Sequence, residues 1–178
     1  MGRVYEEISS ELAEWIGRQK IFFVGTSPLS SSGSVNISPK GYDTFRIVDS
    51  KTVAYLDLTG SGAETIAHLR ENGRITFMWC SFEGPPRIVR IHARGRVVSA
   101  DDVSFQGVFN ETPGARSIIV ATAERVSDSC GYSVPILKYE KERSRLREWA
   151  DTKSEQELKD YRQDKNSVSI DGLPALDQ

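Results

Sequence analysis

Cysteine and histidine are scarce in this chain, with two of each in 178 residues. Cys80 and Cys130 form no C-x-x-C pair, which argues against a disulfide framework or a thiolate metal site. His68 and His92 lack the spacing of metal ligands. Long apolar runs are also missing. The longest, residues 21–24 and 118–121, fall far short of the ~20 residues a membrane-spanning helix needs. The opening Met1-Gly2-Arg3-Val4 turns acidic at Glu6 and Glu7 with no apolar h-region, so no signal peptide is read. Two reduced thiols and no leader predict a cytoplasmic protein. The formal net charge is only −2, so no global field draws the chain to nucleic acid or a membrane surface. Any anion must be held by a local cluster.

What is present suffices for a folded domain. Hydrophobic residues make up 38% and charged residues 27%, values typical of globular proteins. A chain of this length buries roughly 70% of its unfolded surface. With no internal repeat and no boundary signal, residues 1–178 read as a single domain. It has an N-terminal helix and a helical extension from about residue 136.

Val4, Ile8, Leu12, Trp15 and Ile16 recur at helical spacing and predict a helix over residues 4–18. Residues 21–26 are rich in β-branched and aromatic types and predict a strand. Short strands follow at 35–38, 44–48 and 52–57, separated by Pro39-Lys40-Gly41 and Asp49-Ser50. A helix over 62–71 ends at Asn72-Gly73, a left-handed cap signal. Strands 74–82 and 87–99 are joined by Glu83-Gly84-Pro85-Pro86, a link short enough to require antiparallel pairing. Asp101 and Asp102 open a short helix, 116–126 is a further strand, and 138–149 and 154–161 are charged helices. Six or seven closely spaced strands with few intervening helices predict a mainly β barrel with flanking helices.

One segment stands out as a ligand site: Asp57-Leu58-Thr59-Gly60-Ser61-Gly62-Ala63-Glu64-Thr65, which leaves a strand and opens a helix. Glycines at a helix N-terminus let backbone amides approach a phosphate. Ser61 and Glu64 also spell a capping box, which would need no ligand. A dinucleotide fingerprint is mimicked here but fails, because Thr65 occupies the third glycine position. In the strand after Arg87, side-chain alternation puts Arg90, His92, Arg94 and Arg96 on one face and Val89, Ile91, Ala93 and Val97 on the other. The charged face is either solvated and neutralised by a neighbouring strand or a strip for an anion or second subunit. The apolar face is one that a small barrel alone is expected to leave uncovered. Cys130 has no histidine nearby in sequence to activate it and reads as a loop residue. Trp15, Trp79 and Trp149 read as core.

In combination, Asn36-Ile37-Ser38-Pro39-Lys40-Gly41, Tyr55-Leu56-Asp57-Leu58-Thr59-Gly60-Ser61-Gly62 and Arg87-Ile88-Val89-Arg90-Ile91 resemble the pyridoxamine 5′-phosphate oxidase-related family. The tail Asn166-Ser167-Val168-Ser169-Ile170-Asp171-Gly172-Leu173 is also similar to that branch. The resemblance implies a six-stranded split β-barrel of the FMN-binding type, a homodimer, and FMN at the subunit interface. It implies cofactor contacts from Ser38 and Lys40, from Tyr55, Leu56, Asp57, Leu58, Thr59, Gly60, Ser61 and Gly62, from Glu64 and Thr65, and from Arg87 and Arg90. Lys40 is expected to be the fixed cation nearest the phosphate turn. The function implied is an FMN-dependent oxidoreductase. The alternatives are a non-catalytic flavin or haem binder and a deazaflavin (F420) reductase. Three departures argue against oxidation of vitamin B6 itself. Gly60-Ser61-Gly62 replaces a Ser-Arg-Lys clamp, Ile88 replaces a glutamine, and Asp171-Gly172-Leu173-Pro174 stands where a substrate signature is absent.

Overall fold

The computed structural model describes residues 2–176. Its elements run β1 (Val4–Tyr5), α1 (Ser10–Gly17), β2 (Phe22–Thr26), β3 (Asn36–Lys40), β4 (Phe45–Ile47), β5 (Thr52–Leu58), α2 (Glu64–Asn72), β6 (Arg74–Cys80), β7 (Ile88–Ser99), a 3-10 turn (Val103–Phe105), β8 (Ala115–Ser129), α3 (Arg145–Asp151) and α4 (Glu155–Asn166). All strand pairings are antiparallel, in the order β3-β2-β6-β7-β8-β5-β4, with β1 added along β8. Six strands are five residues or longer; β1 and β4 are shorter. The sheet curls into a split half-barrel flanked by helices, as the sequence leads one to expect.

The interior follows from strand alternation. Phe22, Phe45, Tyr55, Phe77 and Trp79 meet inside the curl, with Phe45 edge-on to Trp79 at 4.8 Å and to Phe22 at 5.2 Å. Edge-to-face pairs of this kind add roughly 0.5–1.5 kcal/mol each beyond their area burial. Leu12 and Ile16 of α1 pack into this core, as do Ile66, Ala67 and Leu69 of α2. Gly73 ends α2 in the left-handed region at φ 70°, the cap its sequence predicts.

Several local expectations are corrected. Residues 4 and 5 are strand, not helix: they pair with Ser127 and Val126. The Tyr5 hydroxyl donates to Asp128 at 2.6 Å, and the helix begins only after the Ser9 cap. Pro39 and Lys40 belong to β3 rather than to a turn. Because β3 is a sheet edge, the missing proline N–H costs no ladder bond. The turn follows, with Tyr42 and Asp43 at positive φ. Over 138–149 only Arg145–Asp151 is helical. The earlier part has no regular structure, with the Tyr139 amide donating to Glu83 and the Lys20 ammonium over the Tyr139 ring. The apolar face of β7 needs no second subunit to cover it, since Val89, Ile91 and Ala93 are buried inside the half-barrel.

Candidate cofactor site

Asp57 leaves β5 where the β5–β8 register shifts: Asp57 faces Ser117, but Leu58 faces Ala115. Arg116 is therefore the extra residue of a bulge, and bulges re-aim side chains. Arg116 turns onto Asp57, Nε to Oδ2 at 2.6 Å, while Lys40 reaches Oδ1 from β3 at 3.1 Å. Only 1% of the Asp57 side chain is exposed, so it is held as a carboxylate between two cations. Burial raises its pKa, but Lys40 and Arg116 together outweigh that and hold it below the usual carboxylate value. Lys40 also lies 5.7 Å from the centre of the Tyr55 ring. Burial, then the nearby Asp57 charge, push the Tyr55 phenol well above its usual value. Among the described residues its hydroxyl has no hydrogen-bond partner; Thr65, close enough to offset the rise slightly, accepts from the Asn36 amide at 3.0 Å.

Beyond β5 the chain turns through Thr59-Gly60-Ser61-Gly62 into α2. The turn's carbonyls are tied on one side. Arg116 Nη1 donates to the Gly62 carbonyl at 3.0 Å and to Asn166 Oδ1 at 2.8 Å, and Asn166 Nδ2 donates to the Gly60 carbonyl at 2.9 Å. The Arg162 Nε donates to the Thr59 hydroxyl at 2.9 Å. The amides are not tied: among the described residues, no backbone N–H from Gly60 through Ile66 has a hydrogen-bond partner. The capping box expected from Ser61 and Glu64 does not form. Ala63 is the N-cap with no side-chain bond, and Glu64 bends back beside Gly62 to accept the Ile170 amide at 3.3 Å. Free amides at an uncapped helix start make an anion cradle.

The remaining predicted residues divide. Ser38 donates to Asn36, whose amide reaches Thr26 and Thr65, so it joins a polar chain under α2. Leu56 and Leu58 face the opposite side of the sheet, in an apolar cluster with Ala54, Ile118 and Val120. Arg87 is committed to Asp128 at 2.9 Å and lies 5.5 Å from the Trp15 ring centre. Arg90 points outward to Ser129. The outer strip is neutralised in part from the next strand, by Glu124 on Arg94 at 3.1 Å. Lys40 and Arg87 do share one feature, an open groove of about 1380 Å³ walled by Trp15, Phe23, Phe82 and Tyr139. Neither histidine lines it. Sequence reasoning missed Arg116, Arg162 and Asn166. Each acts through a bulge or through the docking of α4, and neither leaves a local motif.

A split antiparallel half-barrel carrying an amide cradle beside a buried carboxylate with two cations defines the class of protein. Residues 8–130 match the family model described as pyridoxamine 5′-phosphate oxidase. A curated relative, the pyridoxamine 5′-phosphate oxidase family protein ustO of Aspergillus flavus, is 39% identical over 192 residues, covering 97% of this chain and 77% of the relative. The chain belongs to the pyridoxamine 5′-phosphate oxidase family. Two solved structures share the fold at low identity. A single-substitution variant of HupZ from Group A Streptococcus has a TM-score of 0.54 at 22% identity, over 68% of this chain and 99% of that one. A Clostridium acetobutylicum protein of the pyridoxinephosphate oxidase family, related to general stress protein 26, has a TM-score of 0.53 at 17% identity, over 67% and 86%. No helix among the described residues is long and apolar enough to cross a membrane.

Proposed function

We propose that this protein binds a flavin, as FMN, and serves as a flavin-dependent oxidoreductase assembled as a homodimer in the cytoplasm. The observation that carries the reading is the run of unpartnered amides from Gly60 through Ile66 at the start of α2. Such a run accepts a phosphate without a charged clamp, which fits the loss of the Ser-Arg-Lys sequence. Lys40, bonded to Asp57 at the end of β5, also lines a groove walled by aromatic and cationic residues with room for a planar ring system. The flavin, when bound, supplies the electron-accepting chemistry. The protein's share is to hold the phosphate on the turn and to place the Lys40 ammonium beside the ring, where a positive charge favours the reduced form. The Asp57 carboxylate fixes that ammonium in position.

Support for a second subunit comes from the exposed edge strand β3, where Ile37 is 70% exposed, with Val35 just before it at 72%. Exposed apolar side chains on an open strand edge invite pairing with another chain. The deciding experiment is the absorption spectrum of the purified protein, before and after incubation with FMN. A flavin spectrum retained through gel filtration is expected. A colourless protein that quenches no FMN fluorescence at micromolar concentration overturns the proposal.

A further inference from the structure

Beneath α4, on the carbonyl side of the turn, lies a second cavity of about 430 Å³, lined by Arg116, Lys159, Arg162, Gln163 and Ser167 among others. A volume of that order falls within the range of small-molecule sites, roughly 300–1,000 Å³. Its walls hold donors that the fold does not use. A guanidinium carries five N–H groups and no acceptor. Arg116 uses Nε and Nη1 on Asp57, Gly62 and Asn166, and its Nη2 has no hydrogen-bond partner among the described residues. Only 5% of that side chain is exposed. Arg162 uses Nε on the Thr59 hydroxyl and Nη2 on the Ala115 carbonyl, both neutral acceptors, and its Nη1 has no partner among the described residues.

The charge balance points the same way. Asp57 neutralises Arg116 and Glu155 pairs with Lys159 at 2.7 Å, but among the described residues no carboxylate lies within ion-pair distance of Arg162. Asp160 also lines the cavity, with its Oδ1 held by the Gln156 amide. Arg162 is half-buried; burial and the adjacent Arg116 charge lower its pKa, and the more distant Glu155 carboxylate opposes them only in part. Arg116 shares its one buried carboxylate with Lys40, and Arg162 beside it has none within ion-pair distance among the described residues, a surplus that an anion would relieve.

We propose that this cavity is a binding site for a phosphate monoester, with Arg162 and Arg116 as its main ligands and Lys159 at its rim. Guanidinium forks match tetrahedral phosphate oxygens. The ligand is a phosphorylated small molecule separate from the flavin, whose own phosphate is assigned above to the amides of the turn. The site stands on its own residues, whether or not a flavin binds.

The probe is inorganic phosphate, titrated calorimetrically into the full-length protein at constant ionic strength set with chloride. Saturable binding to the wild type is expected, with affinity about tenfold or more weaker in Arg162→Gln. Because Arg162 also anchors α4, Lys159→Gln serves as the second variant; its exposed position leaves the fold intact, and it weakens phosphate severalfold. Arg162→Lys restores part of the loss. Absence of saturable binding, or equal binding by wild type, Arg162→Gln and Lys159→Gln, overturns the proposal. The titration is repeated with FMN and with riboflavin present. Competition by FMN but not by riboflavin makes this cavity the flavin's own phosphate site and overturns the proposal. Undiminished binding in the presence of FMN makes it a second molecule.

Discussion

At the scale of single residues, Asp57 is the most consequential side chain. It is buried between two cations, so Asp57→Asn leaves Arg116 and Lys40 facing each other without a counter-charge. Breaking a buried ion pair from one side typically costs about 3–5 kcal/mol, and the midpoint of urea unfolding at pH 7 is expected to fall by an amount of that order. The pH dependence has a defined sign. The Asp57 carboxylate titrates lower in the folded protein than in the unfolded chain, where its pKa is about 3.9. The stability it contributes is therefore present above about pH 4 and is lost as pH falls through the folded value. Acid unfolding below pH 4 should be steeper in wild type than in Asp57→Asn. Lys40 gives a second residue-level test. The sequence suggests Lys40 as the cation of the phosphate turn, but Arg116 is the cation bonded to that turn, while Lys40 opens on the groove. Lys40→Ala should therefore weaken FMN and riboflavin alike, by about tenfold, in a fluorescence titration. A loss confined to FMN would return Lys40 to the phosphate.

At the scale of elements, α2 carries a titrating group in its buried face. His68 is fully buried, with Nδ1 3.0 Å from the Thr26 hydroxyl. Thr26 also accepts an N–H from Asn36, and His68 Nε2 has no partner among the described residues. Burial lowers the His68 pKa, and Asp171, Glu64 and Glu71 only partly oppose it. The unfolded chain thus takes up a proton near pH 6.5 that the folded protein resists. Stability from this group is present above about pH 6.5 and lost as pH falls through the folded value. Wild-type Tm should drop between pH 7 and 5, and His68→Gln should flatten that drop. Helix α4 is tied to the turn through Asn166, which is fully buried and bonded to both Arg116 and Gly60. Asn166→Ala strands both partners, at roughly 1–3 kcal/mol for each buried group left unmet. Its denaturation midpoint should fall accordingly, and the Thr59 amide, bonded to the Gly114 carbonyl, should exchange faster while the amides of β5 stay protected.

At the scale of the whole molecule, light scattering of the flavin-bound protein should give twice the chain mass, and a monomer at micromolar concentration would remove the two-subunit site. The sheet was legible from the sequence because alternation is written locally: the barrel aromatics, the Gly73 cap and the tight β6–β7 link all follow from neighbouring residues. What depends on distant contacts was not legible. Nothing near Val4 and Tyr5 announces that β8 will pair with them in preference to a helix. The Ser61 and Glu64 spacing fits a capping box, yet Glu64 meets the tail residue Ile170 instead. At the site, the turn was visible as glycines beside a helix start. Its cations were not, because Arg116 owes its direction to a bulge and Arg162 to a helix more than a hundred residues away in sequence.

The two ends of the sheet, β3 and the β5–β4 pair, are not joined by a ladder; besides the short turn at 41–44 and the aromatic contacts of the core, the ion pair of Lys40 with Asp57 spans them. A ladder fails one rung at a time, and each rung is indifferent to dissolved ions. An ionic latch behaves otherwise: it competes with whatever charged group comes near. An anion arriving beside Lys40 would pull on the same ammonium that closes the seam. Occupancy of the groove and the mechanical looseness of the barrel wall should therefore rise together. Strand β3 would then exchange its outward amides faster in the loaded protein than in the empty one, the reverse of the tightening that ligands usually bring.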